Sequence, residues 1–214
     1  MPPKAILFDC DGVLIDSEVL ACGVQVRLLA EAGVDVTLER YMAAFIGRPN
    51  SEVLAELAVA GLPADFRERA AAETARVFER ELRAMAGAAV VLAGLALPIA
   101  VASTSRPERL AHSLGLTGLL GYFGRHVYSA TMVARGKPAP DLFLLAAREL
   151  GVAPADCWVV EDSLVGVQAA VAAGMTPIGF LGGSHVRAGH GDRLIAAGAV
   201  AVVSSFEGIP SLLC

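Results

Sequence analysis

Lysine is almost missing from this 214-residue chain: Lys4 and Lys137 are the only two. Formal net charge is −5, and no run of Lys or Arg forms a basic stripe. The electrostatic footprint of a nucleic-acid binder is therefore absent, and no nucleic-acid polymer is expected as a partner. A small anionic ligand would need local help from a metal ion or a few placed cations. Long hydrophobic runs are also missing, because Gly, Pro and charged residues interrupt every apolar stretch before it reaches membrane-spanning length. No membrane partner is expected. The opening MPPKAILFD has too short an apolar segment and no small-residue cleavage site, so it does not read as a secretion signal. The four cysteines, Cys10, Cys22, Cys157 and Cys214, show neither CxxC spacing nor a regular framework. Reduced thiols in a cytoplasmic protein are the plain expectation, with a monomer as the default state. Cys10 lies between two acids, but no histidine is near it in sequence to activate a thiol nucleophile.

What the chain has is core. A hydrophobic content of 55 % with 18 % charged residues describes a packed globular protein, long enough for a main domain plus a smaller insertion. Short β-rich runs alternate with amphipathic helical ones, the pattern of a parallel sheet covered on both faces. Strands are predicted near Ala5–Asp9, Ile99–Ser103, Val127–Ser129, Trp158–Glu161, Pro177–Phe180 and Ala199–Val203. Helices are predicted at about Pro107–Leu114, Asp141–Leu150 and Leu164–Ala173, each stopping at a glycine, Gly115, Gly151 or Gly174. From about Ser17 to Met85 there is only helical pattern: Val19–Ala32, Leu38–Phe45, Ser51–Ala60 and a long helix from about Ala64 to Met85. That is too much chain for one crossover. The expected architecture is α/β, a Rossmann-like core of residues 1–16 and 86–214 with an inserted all-helical domain, 17–85, placed as a lid.

Ligands of open parallel sheets bind at the carboxyl ends of the strands, so polar residues should gather there. They do. The first strand runs into FDCDGVLIDSE, with Asp9 and Asp11 two residues apart and Gly12 directly after them. Like charges crowded at the rim of a core repel and lose solvation, which a metal ion or a reacting group would offset. The second strand ends in Ser103-Thr104-Ser105 and the fourth in Glu161-Asp162-Ser163, while Lys137 follows the third in GKPAPD. Singly these are ordinary: Ser163 would cap the next helix and Lys137 would be a surface lysine.

Together, DCDGVLIDS, Ser103 in VASTS, Lys137 in GKPAPDLF and VVEDSLVG resemble the four ordered motifs of the haloacid dehalogenase (HAD) superfamily of phosphohydrolases. More narrowly, the chain resembles the helical-cap branch that includes β-phosphoglucomutase and phosphoglycolate phosphatase. The resemblance implies a Mg²⁺-dependent phosphatase acting on a small phosphorylated metabolite through an aspartyl-phosphate. It makes Asp9 the nucleophile and Asp11 the acid that protonates the leaving alcohol and then takes a proton from water. Mg²⁺ would be held by Asp9, Asp162 and the main-chain carbonyl of Asp11, with Glu161 a direct or water-bridged ligand. Lys137 would neutralise charge, Ser103 and Thr104 with nearby backbone N–H groups would hold phosphoryl oxygens, and Gly12 would let the backbone approach the phosphate. In the inserted domain, FIGRPNSE offers Arg48 and Asn50 as substrate contacts.

Within that family, Asp11 argues against halide chemistry, whose enzymes lack the second acid. The absence of a lysine from the inserted domain argues against the imine-forming phosphonatases. A β-phosphoglucomutase-type mutase shares all four motifs; against it stand Asn50 and Ala21, where the mutase pattern has an arginine and a histidine. A non-catalytic phosphate-binding regulatory protein is the rival from another class. His185 and His190, in GFLGGSHVRAGHGD, do not have the spacing of a helical HExxH pair, and the glycines point to a mobile loop, with a role as rim of the site the alternative.

Overall fold

The computed structural model describes residues 2–45 and 62–213. Arg48, Asn50 and the expected helix Ser51–Ala60 lie outside the described residues. The chain divides into two compact units, residues 1–16 with 83–214, and residues 17–82.

The larger unit is built on a six-stranded sheet in which every neighbouring pair is parallel. Its strands are β1 (Ala5–Phe8), β2 (Ile99–Ser103), β3 (Val127–Ser129), β4 (Cys157–Glu161), β5 (Thr176–Phe180) and β6 (Ala201–Val203), in the spatial order β3-β2-β1-β4-β5-β6. Strand order therefore reverses beside β1, which pairs with β2 on one edge and β4 on the other. All four residues of β1 are buried, as an apolar run without alternation requires when both sheet faces are covered. Successive side chains still go to opposite faces. Ala5 and Leu7 pack with Leu142, Phe143 and Ala146 of helix Asp141–Leu150 and with Ala169 and Ala170 of helix Leu164–Ala172. Phe8 faces the other way and stacks on Phe206, ring centroids 6.0 Å apart, and Phe206 meets Phe180 edge-on at 5.3 Å.

The expected α/β class is the observed one, with local differences. Helix Pro107–Leu116 runs through Gly115, and the left-handed residue after it is Gly118 at φ 71°. Gly151 and Gly174 do adopt left-handed conformations at φ 70° and 71°, where an L side chain would be strained. Helices Ala88–Gly94 and His190–Ala197 and the short helices Leu120–Phe123 and Gly208–Ser211 were not foreseen; the first two each follow a left-handed glycine, Gly87 or Gly189, and carry no capping side chain to announce them. The final strand begins at Ala201 rather than Ala199.

The smaller unit contains helices Glu18–Glu31, Leu38–Phe45 and Phe66–Glu81 among its described residues. Cys22, Gln25, Leu28 and Leu29 recur at helical spacing on one buried face, and Tyr41, Met42, Phe66 and Ala70 share that core. Outside it, Arg27 reaches Glu31 and Glu73, and Arg69 reaches Glu31, exposed pairs worth a few tenths of a kcal/mol each. The last helix stops at Glu81, short of the expected Met85, because the backbone turns extended at Leu82. Asp16 N–H then donates to Arg83 O (3.1 Å) and Met85 N–H to Leu14 O (2.8 Å), which ties residues 83–85 to the segment after β1.

Phe206 is fully buried between Phe8 and Phe180, so its truncation removes two ring contacts at once. Phe206→Ala is expected to cost about 3–5 kcal/mol, read from urea unfolding monitored by circular dichroism.

Candidate active site

Asp9 sits one residue past β1, where its N–H still donates to Val160 O (3.0 Å) and so continues the ladder toward β4. That bond fixes the Asp9 side chain at the sheet reversal. The chain then turns tightly, with Leu14 and Ile15 N–H donating to Cys10 O and Gly12 at φ +79°. Gly12 answers two demands. Its backbone is left-handed, and a Cβ placed there would overlap the Asp162 carboxylate.

Lys137 enters from the loop after β3. Its Nζ donates to Asp9 Oδ1 (2.7 Å) and to Glu161 Oε1 (2.5 Å), and its side chain is 2 % exposed. It also lies 5.0 Å from the centre of the Phe143 ring, a cation–π distance. Far from being a surface lysine, it is the buried counter-ion of two acids. Glu161 is fully engaged: its other oxygen, Oε2, accepts from Ser163 N–H (3.0 Å) and Ser163 Oγ–H (2.9 Å). Ser163 Oγ in turn accepts from Gly166 N–H (3.1 Å), so this one serine both caps helix Leu164–Ala172 and holds Glu161. Gly166 has no alternative, since a Cβ there would overlap the Glu161 carboxylate.

Asp162 completes the group. Asp9, Glu161 and Asp162 are buried and each offers a carboxylate oxygen, all within 4.8 Å of one another. Burial, followed by the charge of Glu161, pushes the Asp162 carboxyl well above the ordinary carboxylate range. Asp9 is raised too, by burial and by Glu161 and Asp162, against the lowering effect of Lys137. Burial opposes the charge of Lys137, but the two carboxylates beside it outweigh that and raise its pKa. Three acids against one ammonium leave negative charge that a divalent cation would offset, and the oxygen-only donor set suits a hard ion. With both Glu161 oxygens already engaged by Lys137 and Ser163, Asp9 and Asp162 are the acids best placed to hold it.

Asp11 is brought to the same end of the sheet and held by residues the sequence reading did not assign. Its Oδ2 accepts from Ser105 Oγ–H (2.6 Å) and its Oδ1 from Arg109 Nη2–H (2.8 Å). One signal for Arg109 exists: a cation in the first turn of helix Pro107–Leu116 opposes the helix dipole, which implies an anion nearby. Ser103 is buried, and its Oγ accepts from Ser105 N–H (3.1 Å). Ser129 Oγ–H donates to Ser105 O (2.8 Å), so a chain of serines shapes the loop after β2. Thr104, at its tip, is exposed. Cys10 is fully buried and burial raises its thiol pKa, as befits a core residue.

The two histidines of the glycine-rich segment are buried. His185 is 3 % and His190 8 % exposed, and His190 opens helix His190–Ala197. His190 Nδ1 accepts from Arg193 Nη2–H (2.9 Å), which leaves its Nε2–H to donate to Asp162 O (2.5 Å). Burial first, then Arg193, lowers its pKa and keeps the ring neutral.

The family model described as haloacid dehalogenase-like hydrolase matches residues 3–174. The chain belongs to that family. A haloacid dehalogenase-like protein of unknown function from Agrobacterium tumefaciens superposes with a TM-score of 0.89 at 39 % identity, covering 98 % of this chain and 97 % of the other. The 6-phosphogluconate phosphatase of Escherichia coli is 32 % identical over 186 residues, 85 % of this chain and 84 % of its own. The phosphorylated carbohydrates phosphatase of Thermotoga maritima is 34 % identical over 211 residues, 95 % of each chain. In this haloacid dehalogenase-like hydrolase the match spans all four strand-end motifs, from Asp9 to Asp162.

Removing a buried ammonium from between two acids strands their charge, at a cost of about 3–5 kcal/mol. Lys137→Met is expected to lose that much stability in urea titrations with chelator present, and Mg²⁺ should restore part of it by replacing the missing positive charge.

Proposed function

We propose that this protein is a Mg²⁺-dependent phosphatase that hydrolyses a small phosphomonoester, a sugar phosphate or sugar-acid phosphate, through an aspartyl-phosphate on Asp9. The observation that carries the reading is Asp9 at the sheet reversal, held by Lys137 through Oδ1 and grouped with Glu161 and Asp162. The phosphatase names of the Escherichia coli and Thermotoga maritima relatives support the substrate class.

In the first step an Asp9 carboxylate oxygen attacks phosphorus and the bond from phosphorus to the ester oxygen breaks. The charge of Lys137 beside it favours the ionised form of Asp9, which needs no base to activate it. Asp11, protonated when substrate binds, gives that proton to the departing alkoxide; in the second step water attacks the phosphorus, the bond from phosphorus to Asp9 breaks, and Asp11 takes back a proton from the attacking water. Ser105 and Arg109 fix the position of the Asp11 carboxyl group from which this transfer is made. Lys137 neutralises charge on Asp9, and Ser103 with the backbone after β2 receives the remaining phosphoryl oxygens. Asp9 and Asp162 would hold Mg²⁺, which would supply positive charge to the phosphoryl group. The helical insertion, which carries Arg48 and Asn50, is the part of the chain assigned to substrate selection.

Phosphate release from a panel of phosphorylated sugars and sugar acids tests the reading. Wild type should turn over at least one in Mg²⁺ and none in chelator, while Asp9→Asn should lose turnover at least 1,000-fold, the scale on which covalent catalysis fails, and keep its circular dichroism spectrum. Interconversion of isomers without phosphate release would mark a mutase, and phosphate binding without turnover a regulatory protein. Arg109→Ala probes the proton donor: its rate on alkyl phosphates should fall about 10-fold or more further than on p-nitrophenyl phosphate, whose leaving group needs little protonation. Equal losses on both substrates would remove Asp11 positioning from the role of Arg109.

A further inference from the structure

The segment from Gly182 to His190 takes no part in the steps above, yet it buries two imidazoles against a single acid of the site. We propose that His185 is a positioning residue for Asp162: its imidazole fixes the carboxylate that receives Mg²⁺ and so sets metal affinity. The inference rests on the reading of Asp162 as a metal ligand.

His185 Nε2 stands 2.9 Å from Asp162 Oδ2, with both side chains almost wholly buried. The ring sits in a slot made by two glycines. A Cβ on Gly12 would come within 2.9 Å of His185 Cε1, and one on Gly183 within 2.6 Å of Cε1 and Nδ1. Gly12 belongs to the turn that follows the nucleophile, so the same missing Cβ makes room for the imidazole and for the Asp162 carboxylate. From the other side, His190 Nε2–H holds the main-chain oxygen of Asp162. Asp162 is therefore gripped at two points, backbone and side chain, by residues five apart in one segment.

That segment is itself anchored. Ser184 N–H and Oγ–H both donate to Asp16 Oδ1 (3.1 and 2.8 Å), and Arg187 Nη1 donates to the carbonyls of Ser184 and Val186 (3.0 and 3.2 Å). An imidazole seated in this slot, 2.9 Å from Oδ2, restrains the carboxylate against rotation. Partners that orient a metal-binding group in this way change metal affinity by about 10–100-fold when removed.

Mg²⁺ affinity, measured by isothermal titration calorimetry on the full chain, tests this directly, with the melting temperature in chelator as the control for folding. His185→Leu keeps the bulk and loses the polar contact; its Mg²⁺ Kd should rise about 10–100-fold. His185→Gln can present an N–H at similar reach, and should bind within about 3-fold of wild type, whereas the shorter His185→Asn should weaken at least as much as the leucine variant. The asparagine and glutamine pair decides the matter if the leucine variant does not fold. Wild-type Kd values in both His185→Leu and His185→Asn would overturn the proposal and leave the phosphatase reading standing. Failure of the wild type itself to bind Mg²⁺ would overturn both.

Discussion

One buried ammonium organises the site. Taking Lys137 out of water costs several kcal/mol, and only carboxylates on both sides repay it, which Asp9 and Glu161 do at 2.7 and 2.5 Å. Their presence in turn depends on other choices. Glu161 stays in place because Ser163 fills its second oxygen and Gly166 leaves it room. Asp162 stays because Gly12 has no Cβ and two histidines hold it. Each charge is tolerated only beside the next, so the acids, the lysine and the small residues around them form one interlocked unit rather than a set of separable contacts.

The fold brings these charges together cheaply. A parallel sheet sends every strand the same way, so β1, β2 and β4 all deliver their following residues to one edge. The reversal beside β1 keeps that edge open, because connections leave it in opposite directions. Aromatic packing of Phe8, Phe180 and Phe206 on one face, and small residues under helix Leu164–Ala172 on the other, hold β1 and β4 in register directly beneath Asp9 and Asp162. Rigid strands below and a hydrogen-bonded rim above suit chemistry in which placement matters more than bond-making by the protein.

Legibility along the chain followed how local each cause was. The strand Ile99–Ser103 and the helix Asp141–Leu150 were readable to the residue, since apolar runs and a terminal glycine are written into adjacent positions. Helices Ala88–Gly94 and His190–Ala197 were not, because each starts after a left-handed glycine and has no capping side chain to mark it. Gly115 misled for the opposite reason: glycine is a stop signal only when its backbone turns left-handed, and here Gly118 does so instead. In the site, the residues carried by motifs, Asp9, Lys137, Glu161 and Asp162, were named from sequence and are found together. Arg109 was not named and His185 was read only as part of a loop, because their partners lie 98 and 23 positions away.

By itself the amino-acid sequence determined that this protein has a parallel α/β core with acids at the ends of its strands. Those features follow from periodicity, turn chemistry and short motifs, all of which act over a few neighbouring residues. Tertiary structure alone decided which charge answers which: that Lys137 is buried and not solvated, that Glu161 spends its oxygens on Lys137 and Ser163, that Arg109 meets Asp11, and that His185 comes to rest against Asp162. The physical reason is that electrostatic pairing and burial depend on distance in space, and only the closing of the sheet and its loops brings segments so far apart in sequence within a few ångströms of one another.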